Sequence, residues 1–351
     1  MKVGKLSQTA WNRAVMKQLY KKQEQNLLKI SAAESCSAYA VDDEQVLIKS
    51  AASTSGDTKN LGKYALAAAI NQLASRGAKP VDVQIFILIS ERIGEQKVAG
   101  MVQEMEEMCT MMNIAISNVQ VEVNPAVTQA IVRVETMGFA EKRMIRNIEN
   151  IKPEQDIIMC GFVGLEGTLR ILDEQEKELK GRFVPAFLRQ TKELESQMLK
   201  LQLLENVEKE VKEENIILSA VQHVGSGGLF ATLWDTAEVA GLGLQIDMQK
   251  IQIRQETVEI CEYYHLNPYK MTSTGSLLFF TDQGEKLIEI LEKNGARAVR
   301  LGSTTAENAR VITSGSEIRY LDRPTSDELM LWRKQKLEEG KNYGYKTEIK
   351  K

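Results

Sequence analysis

Several features are scarce in this sequence of 351 residues, and each scarcity narrows the range of functions. Aromatic residues make up only 6% of the chain, which argues against a surface that stacks nucleic-acid bases. The net charge of −3 gives no attraction to nucleic acid or to an anionic membrane. No apolar run approaches the ~20 residues that span a bilayer, and the polar N-terminus lacks the apolar core of a signal peptide.

Cysteine is also sparse, and the four cysteines form no CxxC motif. Their wide spacing predicts reduced, partly buried thiols in a cytoplasmic protein. The length and a hydrophobic content of 43% predict two globular domains. We place the first domain at residues 1–150 and the second at 151–325, followed by a polar tail at 326–351 that is either a fraying helix or disordered.

The first half alternates strands and helices in a pattern typical of a mixed α/β domain. Short strands at 37–41 and 45–49 predict a hairpin, and the small residues at 51–59 predict a loop before a helix at 61–76. The apolar run at 81–90 predicts a strand buried on both faces. A helix at 91–113 carries a methionine stripe, which indicates either an adaptable groove or, as we expect, core packing: Met101, Met105, Met108 and Met112.

The second half contains a glycine-rich turn between a predicted strand at 216–220 and a helix. The turn, Gly225-Ser226-Gly227-Gly228, lets backbone N–H groups approach a ligand, and the helix N-terminus adds a partial positive charge. The pattern indicates either an anion site or a plain strand-to-helix turn without a ligand. Strands and helices alternate to about residue 325, which predicts a second α/β domain.

Six stretches, taken together, carry a family resemblance that spans nearly the whole chain. They are NLGKYALAAAINQLASRGAKPV (60–81), VEVNPAVTQAIVRVETMG (121–138), DIIMCGFVGLEGT (156–168), GSGGLFATLWDTAEVAGLGLQID (225–247), QETVEICEYYHLNPY (255–269) and STGSLL (273–278). In this order they resemble the aminoimidazole-ribonucleotide (AIR) synthase superfamily, and within it the AIR synthase-related branch near the hydrogenase-maturation dehydratase.

The resemblance implies a two-domain α/β fold. The N-terminal mixed sheet would close a barrel with its twin across a homodimer, and a C-terminal α/β domain would pack beside it. The family's nucleotide lies between the domains, with its phosphates held by Mg²⁺ on acidic residues. Members of the family activate an amide, carboxylate or similar oxygen through a phosphorylated intermediate.

The sequence departs from the family at its acidic positions. The early acidic motif is Ala33-Glu34-Ser35-Cys36, the strand-end aspartate is Ala52, and the acid before the first long helix is Asn60. The Asn-Asp pair is Asn71-Gln72, the Gly-Gly-His-Thr-Glu turn is residues 118–122, and the His-Asp-x-x-Glu-Gly-Gly signature is residues 222–228. Because Mg²⁺ requires anionic oxygen ligands, we expect the Mg-ATP site to be largely lost, and we assign no metal ligand and no catalytic residue.

Other residues remain candidates for binding. Lys59 and Lys63 could contact phosphates without a metal, although both are also typical surface lysines. His223 stands where the family has an acid and is either a general base or a turn histidine bonded to the backbone. The remaining candidates are Asn71 and the small residues of two turns: Gly225, Gly227, Gly228, Ser273 and Gly275.

Three hypotheses follow. The first is a homodimeric binding or scaffold protein that either keeps a metabolite or anion site at residues 225–228 and 273–276 or acts by pairing with an active paralogue. The second is an enzyme that binds ATP and magnesium and phosphorylates or dehydrates a small carboxylate or amide, with Lys59, Lys63 and Glu122 as substitutes. The third is an interaction surface alone, on the methionine face. The hydrogenase-maturation dehydratase uses a C-terminal cysteine, and this sequence ends in residues without one, so we do not expect that activity.

Overall fold

Two mixed β-sheets, each covered by helices, form the framework of the protein. The computed structural model describes residues 3–6, 8–19, 25–58 and 60–348. Within these ranges no helix has the length and apolarity needed to cross a membrane.

The first sheet has five strands in the order β1-β2-β5-β3-β4. Strands β3 and β4 are parallel, and the other neighbours are antiparallel. The strands are β1 (Cys36–Ala40), β2 (Gln45–Gly56), β3 (Lys79–Ile89), β4 (Ala115–Val123) and β5 (Ala130–Glu141). A short helix α1 (Gln8–Ala14) precedes them, and α2 (Leu61–Ser75) and α3 (Glu95–Met112) pack on the sheet.

Several predictions for this half are confirmed and two are wrong. The hairpin of β1 and β2 forms, and Met101, Met105 and Met108 are buried in the core as expected. The predicted loop at 51–59 is wrong up to Gly56, because β2 continues there in register with β5. Strand β3 buries one face almost completely and leaves the other partly exposed, so the prediction of two buried faces is also wrong.

The second sheet has seven strands in the order β12-β11-β8-β10-β6-β9-β7, and only β11 and β8 are parallel. The strands are β6 (Asp156–Cys160), β7 (Leu218–His223), β8 (Gly243–Asp247), β9 (Leu277–Thr281), β10 (Ala298–Thr305), β11 (Arg310–Ser314) and β12 (Glu317–Tyr320). The helices are α4 (Leu165–Glu174), α5 (Glu176–Lys180), α6 (Pro185–Glu193), α7 (Leu201–Glu213), α8 (Gly228–Ala240), α9 (Gln255–Tyr264) and α10 (Gly284–Lys293).

The segment expected to be a polar tail begins as packed structure. It forms the helix α11 (Glu328–Glu348), whose first turns carry the buried residues Leu329 and Trp332. These side chains pack against a cluster that also contains residues of α4 and α9. The start of α11 is therefore anchored to the body of the protein rather than solvated.

Candidate functional site

A cleft of about 720 Å³ lies between the two sheets. It is lined by β2, the segment before β1, the end of α2, the glycine turn before α8 and the start of α11, and we call it the central cleft. Its volume is in the range typical of small-molecule sites. Several positions that the resemblance assigns to the nucleotide site meet here: Ala33, Glu34, Ser35, Ala52, Gln72, Gln222, His223 and Gly225.

Glu34 and Arg76 form a buried ion pair in the wall of the central cleft. Arg76 follows α2 and is 2% exposed, and its Nη2 lies 2.9 Å from Oε2 of Glu34. Nη1 of the same guanidinium donates to the backbone oxygen of Val221 in β7 at 2.6 Å. Burial opposes the charged form, but the charges of Glu34 and Cys36 and the hydrogen bond to Glu34 together raise the pKa of Arg76. Glu34 is thus bound to an arginine that also joins the two sheets.

Glu166 forms a second buried network in the same cleft. Its Oε1 accepts from Arg170 at 3.1 Å, and its Oε2 accepts from Thr272 at 2.8 Å and from Thr274 at 2.6 Å. Arg170 also donates to the backbone oxygen of Ser55 in β2 at 2.5 Å. Because the protein itself supplies three hydrogen bonds to this carboxylate, little of its capacity is left for a ligand.

The predicted anion turn is in contact with a carboxylate of the same chain. The backbone N–H of Gly227, which precedes α8 with φ of +87°, donates to Oδ2 of Asp327 at 2.6 Å. The hydroxyl of Ser226 lies 3.4 Å from the same oxygen, and Oδ1 accepts from the N–H of Leu329 at 2.9 Å. Burial, with the charge of Glu166, raises the pKa of Asp327 to about 6.

The rest of the turn shows why small residues stand there. Gly228 has φ of +69°, and a Cβ on it would lie 2.6 Å from the backbone oxygen of Tyr269. Gly225 and His223 line the central cleft. The Nε2 atom of His223 is buried without a hydrogen-bond partner among the described residues. Burial, with the charge of Lys5, lowers the pKa of His223 to about 3, so the ring is neutral at pH 7.

The donor set of the central cleft does not fit magnesium. Of its four acidic lining residues, Glu34, Glu166 and Asp327 are already bonded as described, and Asp235 alone has no hydrogen-bond or ion-pair partner within the described chain. Burial raises the pKa of Asp235, which favours its neutral form. The described residues include no group of three or more His, Cys, Asp or Glu side chains able to hold a metal ion. Mg²⁺ at a nucleotide site is held in octahedral geometry by one or two carboxylates together with waters and phosphates, and in this lining Asp235 is the one carboxylate that is not already bonded within the described residues.

Six of the described candidates lie outside the cleft lining: Lys63, Asn71, Gly227, Gly228, Ser273 and Gly275. Three of them have structural contacts away from the turn and the lysines. Asn71 is fully buried; its Nδ2 donates to the backbone oxygen of Met198 at 2.7 Å, and its Oδ1 accepts from the N–H of Lys200 at 2.8 Å. Ser273 accepts from the N–H of Gly164 at 2.6 Å. Gly275 has φ of +100° and closely approaches the backbone of residues 197–198.

The lysine candidates do not meet in the central cleft. Lys63 lies 2.9 Å from Glu195 and 3.7 Å from Glu104, so its charge is compensated by the protein. Lys59 falls outside the described residues. Glu122 lies on the end strand β4 and accepts from the side chain of Asn124 at 2.6 Å.

Sequence reasoning missed Arg76, Glu166, Arg170, Asp327 and the two threonines of the extended segment before β9. A weak signal existed for two of them, since Glu166 and Arg170 stand four residues apart in a predicted helix. Thr272 and Thr274 face the cleft, whereas the predicted Ser273 lies between them and faces inward.

A second cavity of about 860 Å³ opens beside the central cleft. Asn60 lines it and donates to Asp173 at 3.2 Å, and the hydroxyl of Tyr64 donates to the same oxygen at 2.7 Å. Arg333 of α11 lines this cavity and also bonds Ser55, which lines the central cleft. The positions that the resemblance assigns to the nucleotide site are therefore divided between the central cleft and this second cavity, and Arg333 lies between the two.

Comparison with known proteins places these features in a family. The chain matches the family models "AIR synthase related protein, N-terminal domain" over residues 28–140 and "AIR synthase related protein, C-terminal domain" over residues 152–314. It is 24% identical over 278 residues to a protein of Methanocaldococcus jannaschii named as a hydrogenase expression/formation protein, covering 76% of this chain and 77% of that protein.

Two further comparisons agree. Carbamoyl dehydratase HypE of Rhodobacter capsulatus is 23% identical over 281 residues, covering 77% of this chain and 78% of that protein. The crystal structure of a HypE–HypF complex contains a chain with a TM-score of 0.69 and 17% identity, covering 90% of this chain and 100% of that one. This chain belongs to the AIR synthase-related family, with a two-domain α/β fold and relatives in its hydrogenase-maturation branch.

Proposed function

We propose that this protein is a binding or scaffold member of the AIR synthase-related family that has lost the Mg-ATP site. Its ligand would be a small polar metabolite with one anionic group, recognised at the glycine turn. The observation that carries the proposal is the bonding of the cleft carboxylates: Glu34 and Glu166 are bound to Arg76 and Arg170, and so compensate charges of the protein instead of a metal. A triphosphate would enter without the cations that compensate its charge.

The test is calorimetric titration of the full chain with ATP in the presence of Mg²⁺. We expect no binding at micromolar concentrations. A matched variant restores three family acids at once, Ala52→Asp, Asn60→Asp and Gln72→Asp, and should gain Mg²⁺-dependent affinity for ATP. Micromolar binding by the unmodified protein would refute the proposal.

We also propose that the protein forms a homodimer through its first sheet. Strand β4 ends that sheet, and no strand among the described residues pairs with its outer edge. Its Val119, Val121 and Val123 are 38%, 45% and 56% exposed, and Phe139 on β5 is 42% exposed. Such apolar exposure along an edge strand fits a covered surface. In light scattering, the double variant Val121→Glu/Val123→Glu should be monomeric, whereas Val41→Glu, at the 56% exposed Val41 of the hairpin turn, should stay dimeric.

A second candidate function is an ATP-dependent enzyme that phosphorylates or dehydrates a small carboxylate or amide. The relative named carbamoyl dehydratase favours it. A phosphate-release assay over a panel of carboxylates and amides tests this candidate, and turnover with any of them would favour it over a binding role. Pairing with an active paralogue would instead appear as ATP turnover only in the mixed complex.

A further inference from the structure

Asp327 occupies the position that an anionic ligand would take at the glycine turn. Its carboxylate lies 2.6 Å from the N–H of Gly227 and 3.4 Å from the hydroxyl of Ser226, and its side chain is 3% exposed. Backbone N–H groups at a helix N-terminus are the groups that recognise carboxylates and phosphates. The turn therefore already binds an anion in this structure, and the anion belongs to the chain itself.

Arg333, six residues after Asp327, forms a second anchor by contacting the first sheet. Nη1 of Arg333 donates to the backbone oxygen and hydroxyl of Ser55, and Nη2 donates to the side chain of Gln129 at 2.9 Å. Nε lies 3.3 Å from Glu174 of α4. Residues 326–333, which we call the strap, thus connect the glycine turn of the second sheet to β2 of the first.

The strap also lies between two openings. Asp327, Leu329 and Met330 line the central cleft, while Arg333 and Lys336, farther along α11, line the second cavity. Because Arg333 bonds Ser55, which lines one opening, and Gln129, which lines the other, its side chain lies at the boundary between the two openings. Lifting the strap would join the two into one groove.

The same cleft contains a buried donor that is left unsatisfied. Arg170 is 5% exposed, and its Nε has no hydrogen-bond partner in the described part of the chain. Arg170 and Asp327 both line the central cleft. A ligand anion in the cleft would therefore meet an unsatisfied N–H donor in addition to the N–H of Gly227.

We propose that the strap competes in cis with a small anionic ligand for the glycine turn. Binding of the ligand to the N–H of Gly227 displaces Asp327, and the displaced strap releases Arg333 and opens the cleft. The ligand affinity is then set by the fraction of molecules with the strap lifted, and a strap closed in most molecules lowers it by that fraction. This inference rests on the proposed ligand-binding role of the central cleft.

The experiment compares the full-length protein with three variants. Asp327→Asn keeps an acceptor that caps α11 but places an amide opposite the N–H of Gly227, and Arg333→Gln removes the second anchor. Asp322→Asn is the matched control, because Asp322 is an exposed acid that precedes the strap, five residues before Asp327. Hydrogen exchange of the amides at 329–337 reports strap release. Calorimetry with inorganic phosphate, and separately with acetate, reports anion binding, and thermal unfolding verifies that each variant folds.

We expect phosphate or acetate to speed amide exchange in the unmodified protein. Asp327→Asn and Arg333→Gln should exchange fast without added anion, and Arg333→Gln, which keeps the glycine turn intact, should bind the anion ~10-fold more tightly. Asp322→Asn should behave like the unmodified protein. Unchanged exchange in Asp327→Asn, or no anion binding by Arg333→Gln, would overturn the proposal. Micromolar Mg-ATP binding with intact strap behaviour would instead refute only the proposed function.

Discussion

The buried ion pair of Glu34 and Arg76 gives the sharpest test of how the central cleft is built. Arg76 is only 2% exposed, and replacing Glu34 with alanine leaves its guanidinium without a counter-charge. The change also removes the carboxylate that accepts three hydrogen bonds from this guanidinium. Removing one partner of a buried pair costs about 3–5 kcal/mol, because the remaining charge stays out of water. We therefore expect Glu34→Ala to lower the free energy of unfolding by about 3–5 kcal/mol.

Urea unfolding followed by circular dichroism measures this loss as a lower midpoint at an unchanged slope. Arg76→Met should lower the free energy of unfolding by a similar amount, since it leaves Glu34 buried without a counter-charge. It also removes the 2.6 Å hydrogen bond to the backbone oxygen of Val221. The double variant Glu34→Leu/Arg76→Met removes both charges, so its cost should fall well below the sum of the two single variants.

An exposed pair of the same chemistry provides the control. Arg319 and Glu317 lie 2.6 Å apart, with side chains 76% and 62% exposed. Glu317→Ala should leave the urea midpoint unchanged, because solvent screens such pairs. If Glu34→Ala were as neutral as this control, the carboxylate of Glu34 would not be committed to Arg76 and the description of the cleft would be wrong.

Three further predictions concern single side chains. Burial lowers the pKa of His223 to about 3, so between pH 6.5 and 5 the unfolded chain takes up a proton at this residue and the folded protein does not. The free energy of unfolding therefore falls with pH, and His223→Gln should remove about 2 kcal/mol of that loss over this range. Urea unfolding at each pH measures the difference. Gly228→Ala places a Cβ 2.6 Å from the backbone oxygen of Tyr269 at φ of +69°, so its melting temperature should drop, whereas Gly241→Ala, with φ of +68° but open space, should lose less. Asn71→Ala leaves two buried backbone groups unpaired and should cost about 1–3 kcal/mol in urea unfolding, and a loss of under 0.5 kcal/mol would contradict that role.

Much of the fold could be predicted from the sequence, because hydrophobic periodicity fixes the type of an element locally. The methionine stripe of α3 and the hairpin of β1 and β2 are examples, since each pattern is complete within a short window. The second half of β2 could not be predicted in this way. Its Ala-Ser-Thr-Ser-Gly composition is typical of a loop, and only pairing with β5, about 80 residues later in the chain, holds it as a strand.

The candidate site was less predictable, because its contacts join distant parts of the chain. Asp327 meets Gly227 across 100 residues, and Arg76 meets Glu34 across 42. A local pattern contains no information about such pairs. The choice between Ser273 and its threonine neighbours depends on which face of an extended segment turns toward the cleft, and the packing of the second sheet decides that.

We propose that this AIR synthase-like cleft no longer holds a nucleotide-bound divalent cation. Electron paramagnetic resonance of Mn²⁺ titrated into the full-length protein with ATP present tests this, since Mn²⁺ replaces Mg²⁺ at oxygen sites. We predict that the Mn²⁺ signal with protein matches that of Mn²⁺ and ATP alone. One or two Mn²⁺ ions bound to the protein at micromolar concentration would show that the cleft still holds the cation.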